Sequence, residues 1–475
     1  MAAVALTLPA AGSARTHGLA TGFTDIGSFQ DASPGDRALE LQRAKDAGAT
    51  YIRLAFSWAA MASPTPANVA DTRDPAWPGY EWSFSDGIVR QVVAAGLTPI
   101  IEVTGAPSWA EGPGRPPVSS SVPGGTWKPS PTAFGDFAAA LARRYSGSYP
   151  DPENLGRSLP AVRYWQGWNE PNLSLYLNPQ WKGSGRHAKP ESPNVYRPLL
   201  NAFYKGIKSV SRKNVVVTAG TSPFGDLRPG GGRMPPAEFW RGVFCLKSRK
   251  VLRKVHCANS PVHFDVLAHH PYPIGPPRRH APNPDDVVIA DFSRITKPLK
   301  AALKQHTVAP RRSKPIWATE FSWESNPPDP GGIPAKLEAR YLEGALSELW
   351  SEGVTVATWY NMRDEAPGPG YDITLQSGIY FRGPSFQQDT QKPSYTAFSF
   401  PFTAYLHHGK AQLWGLAPSA GLVTVEVRHG STWKTVARLH ARSHDRLFLG
   451  KARLKKHAVV RARQGTSTSL PWTVV

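Results

Sequence analysis

Three segments of the chain repeat one pattern of apolar and polar positions. Apolar residues recur at helical spacing, a glycine follows, and a short run of β-branched and apolar residues comes next, at residues 39–56, 88–103 and 346–360. The glycines, Gly48, Gly96 and Gly353, stand where the residue after a helix takes the left-handed conformation that glycine adopts without steric cost. Each segment therefore predicts a helix followed by a buried strand.

Strands and helices continue to alternate along the first 400 residues. A weaker strand pattern covers residues 19–25, and apolar runs follow at 162–168, 215–219, 264–269 and 315–319. Helical patterns separate these runs at 131–145, 196–211, 237–247, 290–305 and 336–350. Eight such strands predict an α/β fold, a (β/α)8 TIM barrel over residues 15–402. A doubly wound open sheet is the alternative, disfavoured because no glycine-rich phosphate-binding turn follows the first strand.

The pattern changes after Pro401. Short runs alternate apolar and polar residues between Gly, Ser and Asp, without a helical period. This alternation predicts a small C-terminal antiparallel β-sandwich domain over residues 403–475. Because the linker is short, we expect the domain to pack against the barrel.

Length and charge narrow the picture further. A chain of 475 residues is too long for one small module, and no segment has the ~18 consecutive apolar residues of a membrane span. The net charge is +20, of which residues 403–475 carry 12 Lys and Arg against two acids, or +10. The basic domain is either a structural buttress or a contact for an anionic cell-wall glycan. No nucleic-acid-binding motif is present, so we expect no such partner.

The N-terminus predicts export. Residues 1–14 combine an apolar run with a small-residue end and are interpreted as the remnant of a signal peptide, so we expect a secreted, extracellular protein. The two cysteines, Cys245 and Cys257, are close in sequence, and in an exported chain they are expected to form a disulfide. Without nearby ligands they make a poor zinc site.

Two glutamates carry the candidate chemistry. Glu170 follows the fourth strand within the motif WNEPN at 168–172, where aromatic neighbours would desolvate its carboxyl group and favour the protonated form. Glu320 ends the seventh strand. The carboxyl ends of barrel strands meet at one mouth, so the two side chains should face one another. Such a pair suits glycoside cleavage, in which one carboxyl group protonates the leaving oxygen and the other attacks the anomeric carbon.

The motifs WNEPN and ATEF (318–321) resemble the catalytic strands of clan A retaining glycoside hydrolases, and among them the chain is most similar to family 39 and to the family 5 cellulase group. The resemblance implies that Glu170 is the general acid/base and Glu320 the nucleophile. It also implies five substrate-binding or pocket residues: Asn169, Arg53, His270, Tyr272 and Trp359. Of these, Arg53 would keep Glu320 ionised, and Trp359 would stack against a sugar.

Other interpretations remain open. The two glutamates could serve a structural ion pair, His269 could replace His270 in the pocket, and the barrel could be an inactive carbohydrate-binding protein. A transglycosylase would use the same residues. No His-x-His follows the first strand, so metal catalysis is disfavoured, and the predicted mechanism needs no cofactor. The expected partner is an oligo- or polysaccharide, with family 39 resemblance pointing to xylose-like or uronic sugars and family 5 to glucans or mannans.

Overall fold

The computed structural model describes residues 17–475, so the predicted signal segment 1–14 lies outside the described residues. Eight parallel strands form one sheet in the order β6-β7-β8-β1-β2-β3-β4-β5. Their bounds are β1 Ala20–Thr24, β2 Tyr51–Ser57, β3 Thr98–Thr104, β4 Tyr164–Gly167, β5 Val215–Thr218, β6 Leu267–His269, β7 Ile316–Phe321 and β8 Val354–Tyr360. A parallel bridge between Val217 and Val266 joins the two ends. The predicted barrel is confirmed, and the open sheet is excluded.

Helices connect the strands and cover the outside of the barrel. They are α1 Pro34–Asp46, α2 Trp58–Met61, α3 Ser83–Ala94, α4 Pro131–Arg144, α5 Ser192–Val210, α6 Pro236–Val243, α7 Ser293–Lys304, α8 Ala335–Glu352 and α9 Pro393–Ser399. The three glycines predicted after helices have φ values of +88° (Gly48), +77° (Gly96) and +94° (Gly353). The sequence pattern therefore located these three helix ends correctly.

Alternation along the strands divides the barrel into two apolar regions. One set of side chains fills the barrel interior around Ile100, Val217, Val266 and Trp317, and the other packs between the strands and the helices. At the carboxyl ends of the strands the interior set becomes polar, beginning with Arg53. The barrel is therefore a packed core with a polar mouth.

The C-terminal region forms two antiparallel sheets. Its strands are β9 Phe402–His407, β10 Lys410–Leu416, β11 Gly421–His429, β12 Thr432–Ala441, β13 Leu447–Ala452, β14 Val459–Gln464, β15 Ser467–Thr468 and β16 Trp472–Thr473. Strands β9, β10 and β13 make one sheet, and β12, β11, β14 and β15 make the other, with β16 paired to β14. The inward residues Val423, Val425, Val460 and Phe448 close a separate core between the sheets. The predicted β domain is confirmed.

This domain packs against the barrel along α8. The Arg340 guanidinium lies 3.9 Å from the ring centroid of Trp472 and donates to the Thr473 carbonyl at 2.8 Å. Thr403 Oγ1 donates to Ser347 Oγ at 3.1 Å, and Arg446 donates to the Gly48 carbonyl at 2.7 Å. The contacts come from helix side chains and from a helix end, as expected for a short linker.

The predicted disulfide is not formed in this structure. Cys245 and Cys257 are free thiols at the two ends of a hairpin whose strands are Leu246–Lys247 and Arg253–Lys254. Burial, together with a hydrogen bond with the neighbouring Cys257 thiol, raises the pKa of the Cys245 thiol to about 12. The two thiols are close but not bonded, and the formation of a disulfide between them stays a prediction.

Among residues 17–475, no helix combines the length and the apolar character needed to cross a membrane.

We predict that Trp472→Ala lowers the free energy of unfolding by about 3–5 kcal/mol, because it removes a buried indole from the β core and from the Arg340 contact. Denaturant unfolding measures the change. Leu422→Ala is the matched control: Leu422 lies in the same domain, is 51% exposed and should change stability by no more than about 0.5 kcal/mol. Equal effects of the two substitutions would contradict the packing described.

Candidate active site

Unusual backbone at the end of β4 directs Glu170 into the mouth. Trp168 and Glu170 have φ values of +84° and +33°, in the left-handed region that non-glycine residues rarely adopt. The Trp168 indole is fully buried, packs edge-on against Phe134 at 5.4 Å and donates to the Tyr176 carbonyl at 2.9 Å. The Glu170 N–H donates to the Gly220 carbonyl at 3.0 Å. The aromatic residue of WNEPN thus anchors the turn that presents the carboxyl group.

A β-bulge directs Glu320. The pairing of β7 with β8 shifts register between Ala318 and Phe321. Thr319 Oγ1 accepts from Gln166 inside the barrel, and the next side chain, Glu320, also points inward, which a regular strand would not allow. Phe321 returns to the outer side and packs against Trp359 at 5.3 Å. The bulge adds one inward position at the rim.

Arg53 connects the polar groups of the mouth. Its side chain is 1% exposed, and Nη1 donates to Glu320 Oε1 at 2.6 Å. Nη2 donates to Asn169 Oδ1 at 3.1 Å and to the buried Glu102 carboxylate, and Nε donates to Gln166 Oε1 at 2.8 Å. One guanidinium from β2 therefore holds groups from β3, β7 and β4 with its following turn in fixed positions.

His270 and Tyr272 complete the contacts of the two carboxylates. His270 Nδ1 lies 2.9 Å from Glu170 Oε1 and 3.6 Å from Glu320 Oε2. The Tyr272 hydroxyl donates to Glu320 Oε2 at 2.9 Å. The imidazole also packs closely on Gly220, where an added Cβ would lie 2.0 Å from Nε2. Glycine at this position leaves room for the ring.

His269, the alternative pocket residue, faces away from the mouth. Its ring is fully buried and bonds Thr221 Oγ1 at 2.8 Å and the Val287 carbonyl at 2.7 Å. Burial lowers its pKa to about 3, so the ring is neutral. His269 therefore has a structural environment, and His270 is the histidine that contacts the carboxylates.

The two carboxyl groups have opposite electrostatic environments. Burial raises the pKa of Glu170, and the hydrogen bond and charge of His270 offset only part of that effect. Burial also acts on Glu320, but the charges of His270 and Arg53 and the hydrogen bonds from Tyr272 and Arg53 outweigh it and lower the pKa of Glu320. One group is thus disposed to hold a proton and the other to remain ionised.

The separation of the groups limits what they can do together. One oxygen of Glu170, one oxygen of Glu320 and one nitrogen of His270 all lie within 4.8 Å of one another. Each carboxyl side chain is 13% exposed, so both can be reached from the mouth. A pair this close can act on two sides of one bond without space for a water molecule between acid and base.

These three donor atoms are also the group within residues 17–475 whose types and positions could hold a metal ion. The Arg53 guanidinium, however, already lies 2.6 Å from Glu320 Oε1 and supplies positive charge there. A divalent cation at this point would be repelled by Arg53. The set therefore fits a paired carboxylate better than a metal ligand.

Trp359 does not face the mouth, contrary to its predicted role as the sugar-stacking floor. Its side chain is fully buried on the helix side of β8, lies 6.2 Å from the Trp323 ring and donates to the Ser377 carbonyl at 2.7 Å. The reason is strand alternation: Val356 faces the interior, so Tyr360 does too and Trp359 does not. Tyr360 therefore lies on the side of the mouth, and burial and the nearby Glu320 charge raise its pKa.

The structure thus brings together Glu170, Glu320, Asn169, Arg53, His270 and Tyr272, but not Trp359. Three further residues lie at the site that the sequence analysis did not identify: Glu102, Gln166 and Tyr360. The signal that could have found them is the alternation of side chains along a strand. Each lies an even number of residues from an interior residue of its own strand: Ile100 on β3, Tyr164 on β4 and Val356 on β8.

Comparison with known proteins gives structural relatives only. No family model matches the chain, and no curated protein matches it. The fold is similar to a family 39 glycoside hydrolase from Bacteroides cellulosilyticus WH2 (TM-score 0.53, 17% identity, 92% of this chain and 79% of the other). It is also similar to the GH39 enzyme from Xanthomonas axonopodis pv. citri (TM-score 0.50, 14% identity, 94% and 93%). At these identities the likeness shows a shared fold.

We predict that Arg53→Met destabilises the protein by about 3–5 kcal/mol at neutral pH, because Glu102 and Glu320 lose the charge that compensates their burial. Their folded-state pKa values would then lie above the unfolded values. Such a penalty is present above the folded pKa and disappears below the unfolded pKa, so the difference from wild type should shrink as the pH falls toward about 4.3.

Chemical unfolding at several pH values measures this difference. The control is Arg233→Met, which breaks an ion pair with Asp226 at 2.9 Å whose arginine is 59% exposed, and which should cost about 0–1 kcal/mol at any pH in this range. A loss for Arg53→Met that stays constant with pH would contradict the ionised cluster.

Proposed function

We propose that the protein is a secreted retaining glycoside hydrolase that cleaves O-glycosidic bonds of an oligo- or polysaccharide by double displacement. The observation that carries the proposal is the pairing of Glu170 and Glu320, two close carboxyl groups with raised and lowered pKa. Proton donor and nucleophile require that difference at one pH. The barrel shared with two glycoside hydrolases of similar structure supports the same assignment.

In the first step Glu320 attacks the anomeric carbon as the bond to the leaving oxygen breaks. Glu170 gives its proton to that oxygen, and the sugar is left covalently bound to Glu320. The separation within 4.8 Å supports this retaining geometry, since inverting enzymes need about 6.5–9.5 Å between the groups for a water molecule.

In the second step Glu170, now ionised, takes a proton from water as the water oxygen attacks the same carbon. The bond to Glu320 breaks, and the site returns to its starting protonation. A sugar hydroxyl in place of water would give transglycosylation. Both carboxylates are partly exposed at the mouth, so water can reach them, and hydrolysis is the activity proposed here.

The neighbouring residues hold the reacting groups in place. Asn169 Oδ1 accepts from Arg53, so its amide N–H groups are left to donate to the substrate, which fits a bond to the sugar 2-hydroxyl. Arg53 and Tyr272 fix both oxygens of Glu320. His270 holds Glu170 through Nδ1 and would stabilise its ionised state after the proton has left.

An inactive carbohydrate-binding barrel would not need opposed carboxylates held by this many buried contacts, and this disfavours that alternative. The reaction uses protein side chains and water, without a cofactor. Xylose-like or uronic sugars and glucans or mannans remain the candidate substrate classes.

We infer that the C-terminal domain acts mainly as a buttress, with its outer sheet face as a secondary contact for an anionic glycan. The docking of Trp472 and Arg340 supports the buttress role. On the outer face, Glu426 pairs with Arg461 at 2.8 Å and with Arg463 at 3.1 Å, which neutralises part of the positive charge. The face therefore attracts anions less than the net charge of the domain indicates.

We predict that Glu320→Gln abolishes hydrolysis, because no nucleophile remains, whereas Glu170→Ala keeps activity on aryl glycosides with good leaving groups and is accelerated by azide. A panel of aryl xyloside, glucoside, galactoside, mannoside, arabinoside and glucuronide measures this, with NMR of the first-formed anomer. Glu153→Gln, at an exposed surface pair with Arg90, is the control and should match wild type. Wild-type turnover by Glu320→Gln would remove the assignment.

We predict a bell-shaped dependence of kcat/KM on pH. Activity falls on the acid side as Glu320 gains a proton, below the ordinary glutamate pKa of about 4.3, and on the basic side as Glu170 loses its proton, above that value. In Glu170→Ala, assayed with a good leaving group, the basic limb should disappear while the acid limb stays. A basic limb that persists unchanged would show that another group is the acid.

A further inference from the structure

One face of the barrel carries an uneven distribution of charge. Seven connections lead from a helix to the next strand and therefore lie at the amino ends of the strands, opposite the mouth. Three of them, at residues 211–214, 244–266 and 305–315, contain ten Lys and Arg and one acid, Asp265, a net charge of +9. We call these three connections the basic face.

The other four connections are neutral. Residues 47–50, 95–97, 145–163 and 353 contain two Lys and Arg and two acids. Those acids are paired: Asp151 and Glu153 accept from Arg90 at 2.8 and 2.7 Å. Helix dipoles act on all seven connections alike and favour cations in the last helical turn, whereas the charges of the basic face lie beyond the helices. The excess is therefore local and separate from helix capping.

Contacts join the three connections. Lys208 of α5, which pairs with Asp265, also donates to the Arg212 carbonyl at 3.4 Å. Lys254 N–H donates to Gln305 Oε1 at 2.7 Å, and Gln305 Nε2 donates to the Leu252 carbonyl at 2.8 Å. The single acid, Asp265, forms ion pairs with Lys208 of α5 at 2.6 Å and with Arg312 at 2.7 Å. The one negative charge on this face is therefore already paired with two cations.

Most cations of the basic face are exposed and have no acidic partner within residues 17–475. Nine of the ten are exposed, and Arg312 is the one among them that forms an ion pair. The exposed set is Arg212, Lys213, Lys247, Arg249, Lys250, Arg253, Lys254, Arg311 and Arg312. Such a cluster attracts polyanions strongly at low ionic strength.

The hairpin formed by Leu246–Lys247 and Arg253–Lys254 contains a pair of like charges. Lys247 and Arg253 stand directly opposite in the antiparallel register, where like charges destabilise a β pair. Five cations and no acid lie between Cys245 and Cys257. An anionic group bound between the Lys247 and Arg253 side chains would offset this repulsion. The hairpin therefore favours an anionic ligand.

We propose that the basic face binds an anionic polysaccharide, a chain with carboxylate or sulfate groups along its length, and holds the protein on it while the mouth stays open. The mouth lies at the other end of the strands, so a polymer bound here does not cover Glu170 or Glu320. Binding at this face does not require catalysis.

Two other polyanions fit the face less well. Single-stranded nucleic acids bind through aromatic platforms, and the aromatic residues in the three connections, Phe244 and Phe264, are both buried. Anionic membranes are bound most firmly when apolar side chains insert, and Val251, 62% exposed, is the large exposed apolar side chain on the basic face. The surface offers charge without stacking or insertion.

The test is binding of the full chain to polygalacturonate in 50 and 300 mM NaCl, with neutral dextran, a DNA duplex and phosphatidylserine vesicles as comparisons. The variant Lys247→Glu/Arg249→Glu/Arg253→Glu should weaken binding to polygalacturonate by at least about tenfold at 50 mM salt. The matched variant Arg428→Glu/Lys434→Glu/Arg438→Glu, on the C-terminal domain, should weaken it by less than about threefold. Thermal unfolding checks that both variants fold.

Four outcomes would overturn the proposal: no binding to polygalacturonate, equal binding to dextran, equal losses in the two variants, or DNA or vesicle binding that is tighter and equally dependent on the hairpin. Hairpin-dependent, salt-sensitive binding to polygalacturonate would support it. The measurement involves no turnover, so it stands or falls separately from the glycosidase assignment.

Discussion

The site depends on one buried guanidinium. Arg53 projects from β2 into the interior of the barrel and donates to four side-chain oxygens on β3, β7 and β4 with its following turn, including the Glu320 and Glu102 carboxylates. A buried arginine needs acceptors, and buried carboxylates need cations, so neither is stable without the other. The cluster is therefore both a requirement of folding and the reason why Glu320 is ionised and fixed in position.

Irregular backbone converts this cluster into a pair of opposed carboxyl groups. Regular strands would place only every second side chain inside, yet the mouth uses Asn169 and Glu170 together, and Thr319 and Glu320 together. The left-handed residues after β4 and the bulge in β7 supply the extra positions. Strain of this kind persists where surrounding contacts enforce it, and the buried Trp168 and the Arg53 cluster provide those contacts.

The barrel and its two glutamates could be predicted from the sequence, whereas several neighbouring residues of the site could not. The repeated helix, glycine and strand pattern predicted the barrel, because burial on both faces of parallel strands leaves a clear apolar signal. Motifs at strand ends located Glu170 and Glu320. Trp359 was misassigned because the prediction used only its place at a strand end, whereas parity along β8 decides its direction. Gln166 was missed because interior polar residues look ordinary in sequence until Arg53 is known to need them.

The two basic surfaces of the protein also differ in how far the sequence alone could predict them. The positive charge of the C-terminal domain is evident in the sequence, because its cations fall within one segment of the chain. Ion pairs with Glu426, however, neutralise part of that surface. The basic face escaped notice because its cations come from three separated connections that only the barrel brings together. Parallel topology places every helix-to-strand connection on one side of the barrel and every strand end that lines the mouth on the other. A barrel with this arrangement can bind a charged polymer on one side while its mouth remains free to act on the other.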